Sequence, residues 1–188
     1  MKRLLTVVLS GFLYLFSGHA MAVELEGVQV PERFEVAGKS LQLNGVGMRT
    51  EFIFDIYVGA FYLDKVTNDA RQVIEGRGAK RMLLHFVYSE VGHNKIVEGW
   101  NKGFAANYSE REVAAMRAGL DQFTALLGPV KKGDEVMIDF LPNGSTQVTF
   151  NGVLQGSVSG NQIQQAVLSV WFGNKPADKG LKKSLLGG

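Results

Sequence analysis

The chain has 188 residues, 46% of them hydrophobic, with 20 basic and 18 acidic side chains and no cysteine. The absence of cysteine excludes disulfides, so the fold depends on an ordinary hydrophobic core, which a chain of this length can supply. The near balance of charge provides no basic surface, so we predict no nucleic-acid partner.

The N-terminus predicts a secretory signal peptide over residues 1–22. Lys2 and Arg3 precede an apolar stretch, and "GHAMA" ends in an A-x-A cleavage pattern. We predict cleavage after Ala22, which would place the mature protein in the periplasm or outside the cell. An uncleaved membrane anchor is the alternative, but the apolar run is shorter than the roughly 20 residues that a bilayer requires. No later segment is long and apolar enough to predict a transmembrane helix.

Residues 23–188 show no linker or repeat, which predicts a single domain. The elements predicted in its first half are one or two edge strands over 23–36 interrupted by Pro31, a strand-rich stretch over 41–63 with a bend near Gly45 and Gly47, a short helix over 67–75, and a buried strand in "KRMLLHFVY".

Two helices are predicted next. The first has one apolar stripe, made by Ile96, Val97, Trp100 and Phe104. The second begins with "YSEREV", in which Ser109 and Glu112 have the spacing of a capping box. We expect this helix to end at Gly128-Pro129.

The last part of the chain predicts a strand meander followed by two helices. "EVMIDFL", "STQVTF" and "VLQGSV" are separated by Pro142-Asn143-Gly144 and Asn151-Gly152, which are typical of turns. A helix after Gly160 and a short helix in "DKGLKKSLLGG" follow. Because strands and helices run in separate groups, the sequence predicts an α+β fold with an antiparallel sheet and helices on one face.

Several kinds of chemistry have no support in the sequence. Only His85 and His93 follow the signal, without cysteine or metal-ligand spacing, so we predict neither a metal site nor a cofactor. There is no nucleophile elbow and no phosphate-binding glycine loop. His85 lies in an alternating strand and is interpreted as structural. The charged "KPADKGLKK" is most simply a solvated surface.

Arg49 is the residue that stands out. It is a permanent cation just after Gly45 and Gly47, in a run that is otherwise apolar and aromatic. It could form a salt bridge with Glu51 or Asp55. It could instead face a cavity and bind a carboxylate or carbonyl oxygen through its rigid guanidinium fork. The composition leaves both interpretations open.

Three segments, "LNGVGMRTEFIFDIYVGAFYL", "HNKIVEGWNKGF" and "AVLSVWFGNKPADKGLKKSLLG", resemble in this order the chalcone isomerase-like family, with the strongest likeness to its bacterial secreted branch. The resemblance implies an open-faced β-sandwich, in which a large antiparallel sheet carries a layer of helices.

The resemblance also implies roles for particular residues. Arg49 matches the arginine that polarises the substrate ketone in the plant enzymes. The other plant-type catalytic positions are not matched, because the resemblance puts non-equivalent residues there: Tyr57, His93, Trp100, Val170 and, next to it, Trp171. Family members that bind fatty acids use an arginine with a tyrosine to hold the carboxylate, and Arg49 with Tyr57 fits that pair.

The leading hypothesis is therefore a binding protein without isomerase activity. Its ligand would be a small amphipathic carboxylate or carbonyl compound, such as a fatty acid or an aromatic acid or ketone, held at Arg49. The predicted ligand-binding residues are Arg49, Tyr57, His93, Trp100, Val170 and Trp171. One alternative is an isomerase or lyase that uses Arg49 as electrophile and His93 as proton carrier. Another is a structural or partner-binding module with no ligand.

Overall fold

Residues 22–188 are described by a computed structural model, in which strands and helices alternate in groups. The strands in chain order are β1 (Ala22–Leu25), β2 (Val28–Pro31), β3 (Arg33–Val36), β4 (Lys39–Glu51), β5 (Phe54–Leu63), β6 (Lys80–Phe86), β7 (Glu90–Val91), β8 (Val130–Lys131), β9 (Glu135–Phe140), β10 (Ser145–Phe150) and β11 (Val153–Ser159). The helices are α1 (Ala70–Glu75), α2 (His93–Asn107), α3 (Glu110–Ala125), α4 (Asn161–Phe172) and α5 (Lys179–Leu185). The predicted signal peptide falls on residues that, except for Ala22, lie outside the described part of the chain.

Seven strands form one antiparallel sheet in the order β11-β10-β9-β6-β5-β4-β3. Its residues alternate between two apolar layers, as the period of a strand requires. Met82, Leu84 and Phe86 of β6 pack against the helices, whereas Leu83 belongs to a second cluster on the opposite face. The α+β prediction, with a large antiparallel sheet and helices on one face, is confirmed.

The hairpin of β1 and β2 covers part of the face that the helices leave open. Val28 and Val30 are buried there against Val58 and Tyr62, and the Tyr62 hydroxyl donates to the Pro31 carbonyl at 2.8 Å. The sequence predicted one or two edge strands in this segment, but it contains three. Pro31 ends the second of them, since proline has no N–H to donate to a ladder.

Local signals located the helix starts well. Ser109 caps α3 and forms the predicted capping box with Glu112. The helix ends at Ala125, three residues before the predicted stop at Gly128. The turn predicted at Asn151-Gly152 joins β10 to β11, and both residues have positive φ, of 46° and 80°. That combination defines the tight hairpin turn that this dipeptide favours.

The glycines ahead of Arg49 serve a different purpose from the one expected. The chain reverses at Phe52-Ile53, between β4 and β5, and Gly45 and Gly47 lie within β4. A Cβ on Gly45 would overlap the Ser184 carbonyl oxygen, and one on Gly47 would lie 2.7 Å from the Ser184 Cβ. The glycines therefore allow α5 to pack directly on β4.

We expect Gly45→Ala to lower the free energy of unfolding by about 1–3 kcal/mol, because the added methyl group must push α5 away from β4. Urea denaturation measures the change. The matched control is Gly128→Ala, where a Cβ meets no atom within 4 Å. That variant should stay within about 0.5 kcal/mol of the wild type. Equal stability of the two variants would contradict the close packing of α5.

Candidate functional site

The pairing of β4 with β5 brings Arg49 directly opposite Tyr57. Both side chains reach the helical side of the sheet, where Arg49 is 16% exposed. The aromatic and apolar run in these strands folds as the strand pattern predicts, and the register places the cation and the phenol side by side. The two residues that the resemblance associated thus lie together.

Arg49 has two loose carboxylate partners. Its terminal nitrogens lie 3.7 Å from Glu51 and 3.7 Å from Asp178, and it also donates to the Thr50 carbonyl. Separations of 3.7 Å exceed those of a good charge-assisted hydrogen bond, so the guanidinium retains donor capacity. The predicted alternative pair with Asp55 does not form, since that carboxylate accepts instead from the Thr50 hydroxyl at 2.9 Å.

Asp178 is held in place by the start of α5. One carboxylate oxygen caps the helix by accepting from the Leu181 N–H at 2.9 Å, and the other accepts from the Thr50 N–H at 3.2 Å. The segment that contains this residue was interpreted as solvated surface. That interpretation is wrong for Leu181, which is buried.

Tyr57 is held in place by Trp171, another of the residues predicted to bind ligand. Trp171 on α4 donates its indole N–H to the Tyr57 hydroxyl at 2.9 Å. Burial raises the pKa of Tyr57 to about 12, against the lowering effects of this hydrogen bond and of Arg49. The phenol is therefore neutral at ordinary pH. Among the described residues the hydroxyl hydrogen of Tyr57 has no hydrogen-bond acceptor, so the hydroxyl can donate into the space beside it.

A cavity of about 150 Å³ lies beside Arg49 and Tyr57. Trp100 forms one wall, with its ring edge-to-face against Trp171 at 5.1 Å and against Phe123 at 4.8 Å. Apolar side chains from the sheet and from the ends of α2 and α3 complete most of the surface: Ile56, Leu84, Phe86, Val91, Ile96, Leu126, Leu127, Val130, Val136, Val148 and Phe150. The charged and hydroxyl-bearing side chains of the lining are few, namely Arg49, Glu51, Tyr57 and Lys95, as in many small-molecule sites.

Five of the six residues predicted to bind ligand line this cavity: Arg49, Tyr57, Trp100, Val170 and Trp171. His93 does not, because it begins α2 and its Nδ1 lies 2.7 Å from the Leu127 carbonyl oxygen. The histidine ties α2 to the end of α3. Whether the five residues bind a ligand stays a prediction.

Sequence reasoning missed Lys95 and Asp178 at this site, and it named Glu51 only as a salt-bridge partner of Arg49. Glu51 and Lys95 line the cavity, and Asp178 lies beside Arg49. The only local signal for Asp178 was its position before "KGL", which is typical of a helix cap. Nothing local indicated that this cap would meet a strand more than a hundred residues earlier.

Other kinds of site find no support in residues 22–188. No cluster of three or more histidine, aspartate or glutamate side chains there could hold a metal ion. No helix in the same range has both the length and the apolar character of a membrane span.

The raised pKa of Tyr57 predicts a loss of stability at high pH. The folded protein keeps a proton that the unfolded chain releases near pH 10, so the free energy of unfolding falls as the pH rises from about 10 to about 12. Tyr57→Phe removes this contribution, whereas Tyr62, whose pKa burial also raises, keeps its own. Urea denaturation at pH 8 and pH 11 should therefore show a smaller loss in the variant. An equal loss would contradict a buried neutral phenol.

The fold and the cavity together define a class of protein, an open-faced β-sandwich with a largely apolar cavity that is lined in part by an arginine. The chain belongs to the chalcone isomerase-like family, whose model matches residues 22–187.

A crystal structure of a fatty-acid binding protein from Arabidopsis thaliana has a similar fold. The TM-score is 0.70 at 16% sequence identity, and the match covers 88% of this chain and 96% of the plant protein. At this identity the similarity establishes the fold. No curated protein sequence matches the chain significantly.

Proposed function

We propose that this protein is a non-catalytic member of its family, and that it binds a small amphipathic molecule by a carboxylate or carbonyl end. The observation that carries the proposal is the placement of Arg49 and Tyr57 side by side in the wall of a largely apolar cavity. The ligand's oxygen accepts hydrogen bonds from the guanidinium and the phenol. Its acyl or aromatic part occupies the space beside Trp100, Val170 and Trp171.

The hydrogen-bonding capacity of the site supports this assignment. The Tyr57 hydroxyl already accepts from Trp171, so the group that it offers to a ligand is its hydrogen. Arg49 likewise can only donate. Two donors in an apolar wall select an acceptor, and a fatty acid, an aromatic acid or a ketone supplies one. The plant neighbour, described as a fatty-acid binding protein, is consistent with such a ligand.

Two observations favour binding over catalysis. Tyr57, with a pKa of about 12, is a poor proton carrier near neutral pH. His93, the other proton carrier considered, is turned to the Leu127 carbonyl and lies outside the cavity lining. An isomerase or lyase that uses Arg49 as electrophile would need another group to move the proton.

We also propose that the protein works in the periplasm or outside the cell, as a secreted bacterial member of the family. The basic start, the apolar stretch and the A-x-A pattern ending at Ala22 support this location. The mass of the protein recovered from cells tests it, because cleavage would leave Val23 as the first residue.

Ligand extraction tests the binding proposal. Protein purified under native conditions should release a lipid or aromatic acid detectable by mass spectrometry, or should take up dodecanoate when it is offered. Failure of both would contradict the proposal. A parallel assay with chalcones tests catalysis, and a turnover rate higher for the wild type than for Arg49→Ala would favour the enzyme instead.

A further inference from the structure

Exposed apolar side chains are concentrated at two points of the described surface. Phe52 and Ile53, in the turn between β4 and β5, are 94% and 86% exposed, and Phe54 follows them at 49%. Val153 and Leu154, just after the turn between β10 and β11, are 64% and 59% exposed. We call these the 52–54 tip and the 153–154 tip. Exposed apolar groups in clusters of this kind mark interaction sites more often than single ones do.

Both tips lie at the same end of the sheet. The strand register pairs Glu51 with Phe54, Tyr57 with Phe86, His85 with Glu135, and Phe150 with both Val136 and Val153. The two turns therefore project from one end, four strand spacings apart. At about 4.8 Å for each spacing, the tips are separated by roughly 19 Å along the sheet.

The cavity lies near this end of the sheet. Its lining includes the last residues of β4, β6 and β10, which are Glu51, Phe86 and Phe150, and residues close to the start of β5 and β9, which are Ile56, Tyr57 and Val136. Two of its charged lining residues, Glu51 and Lys95, are largely exposed, which locates the mouth beside them. Glu51 directly precedes the 52–54 tip.

The 52–54 tip has an unusual backbone. Phe52 has a φ of 57°, a left-handed conformation that a bulky aromatic residue rarely adopts. Phe54 packs edge-to-face on Tyr88 at 5.6 Å and so fixes the base of the turn. Phe52 and Ile53 are left pointing into solvent. Residues with strained backbone conformations of this kind are concentrated at functional sites.

We propose that the two tips insert into the surface of a zwitterionic lipid membrane, with the cavity mouth facing the lipid between them. A membrane accepts protruding apolar side chains without a matching pocket, and the strength of binding depends on the apolar area inserted. A protein partner is less well suited, because a stable interface needs roughly 800 Å² per partner. The two most exposed side chains of either tip, taken alone, fall short of that area, since even an aromatic side chain buries only about 150–250 Å².

The charges at this end support a zwitterionic surface rather than an anionic one. Basic and acidic side chains are mixed here without an excess of positive charge: Arg49, Lys95, Lys131 and Lys132 against Glu51, Asp55, Glu90 and Glu135. A surface of this kind gains little from anionic lipid, so salt should have little effect on binding. The docking depends on the exposed tips and does not require that the cavity be occupied.

Flotation with phosphatidylcholine vesicles tests the proposal. The wild type should float with the vesicles, equally in about 0.1 M and about 0.5 M salt. Phe52→Asn/Ile53→Ser should bind about tenfold more weakly or worse, since asparagine tolerates the left-handed backbone and both apolar groups are lost. Val153→Ser/Leu154→Ser should also weaken binding. The control is Val66→Ser, which removes an apolar side chain that is 58% exposed at the opposite end of the sheet.

Three results would overturn the proposal. One is a wild type that stays with the buffer, or that binds only anionic vesicles in low salt. Another is unchanged flotation of both tip variants when circular dichroism shows them to be folded. The third is self-association of the wild type in analytical ultracentrifugation that the tip variants lose, since a second copy of the chain would then be the occupant. None of these results depends on whether a ligand binds at Arg49.

Discussion

Arg49→Ala should weaken the binding of dodecanoate about ten- to hundredfold. A hydrogen bond to a charged group is worth roughly 1.5–3 kcal/mol, and each 1.4 kcal/mol is a factor of ten in affinity. Isothermal titration calorimetry measures the change. Arg49→Lys should recover only part of the loss, because an ammonium group keeps the charge but lacks the planar fork that holds two oxygens. The control is Arg117→Ala, which removes an exposed arginine from α3.

The loss should be one of binding and not of folding. Arg49 has loose ion pairs, and Asp178 would keep its bonds to the Leu181 and Thr50 N–H groups without it. We expect the free energy of unfolding of Arg49→Ala to fall by about 0.5–1.5 kcal/mol, because neither carboxylate is within hydrogen-bond distance of Arg49 and Asp178 keeps its other donors. Unchanged affinity for dodecanoate would remove Arg49 from the site. A loss of several kcal/mol in stability would instead favour the structural interpretation of this residue.

The neighbouring carboxylate allows the charge of the ligand to be tested. Glu51 lies 3.7 Å from Arg49 and would repel a carboxylate bound there. Glu51→Gln should therefore tighten the binding of dodecanoate and leave its uncharged methyl ester unaffected. The effect of Glu51→Gln on dodecanoate and on its methyl ester therefore distinguishes a site for a carboxylate anion from a site for an uncharged carbonyl group.

Local sequence signals predicted the features that depend on neighbouring residues. The capping box of Ser109 with Glu112 and the Asn151-Gly152 turn each depend on a few adjacent residues, so the sequence alone located them. The grouping of strands and helices along the chain correctly predicted that helices cover one face of the sheet. The hairpin of β1 and β2 was missed, because strand patterns do not show which sheet a short strand will join.

The candidate site depended on contacts between distant parts of the chain. Arg49 and Tyr57 are near in sequence, but the Trp171 that orients the phenol comes more than a hundred residues later. The resemblance to a family supplied this grouping, and composition could not. The resemblance also placed His93 in the site, yet its ring turns to the Leu127 carbonyl.

The sequence analysis also placed one reversal of the chain wrongly. The strand-rich run over 41–63 was predicted to bend near Gly45 and Gly47, but the chain reverses at Phe52 and Ile53, which form an exposed turn. A strand-period pattern does not reveal a reversal that lacks glycine, proline or asparagine. The absence of turn residues is itself informative, since the chain keeps two large apolar side chains where small polar ones would serve a turn better.

The second large effect is expected on the face of the sheet opposite the cavity. Arg81 on β6 and Asp139 on β9 are cross-strand partners, joined by two hydrogen bonds of 2.6 and 2.7 Å. The guanidinium also lies 4.6 Å from the centre of the Phe34 ring. Both side chains are mostly buried, so the charge of each is compensated mainly by the other.

Asp139→Ala should lower the free energy of unfolding by about 3–5 kcal/mol, because it leaves the Arg81 cation buried without its partner. Asp121→Ala is the matched control: it removes an aspartate from an exposed pair with Arg117 and should cost less than about 1 kcal/mol. Arg81→Met/Asp139→Leu should regain most of the stability, since it removes both charges together. Urea denaturation measures all three, and equal losses for Asp139→Ala and Asp121→Ala would contradict a buried ion pair. At temperatures where Asp139→Ala stays folded, its affinity for dodecanoate should match the wild type, because the sheet separates this ion pair from Arg49.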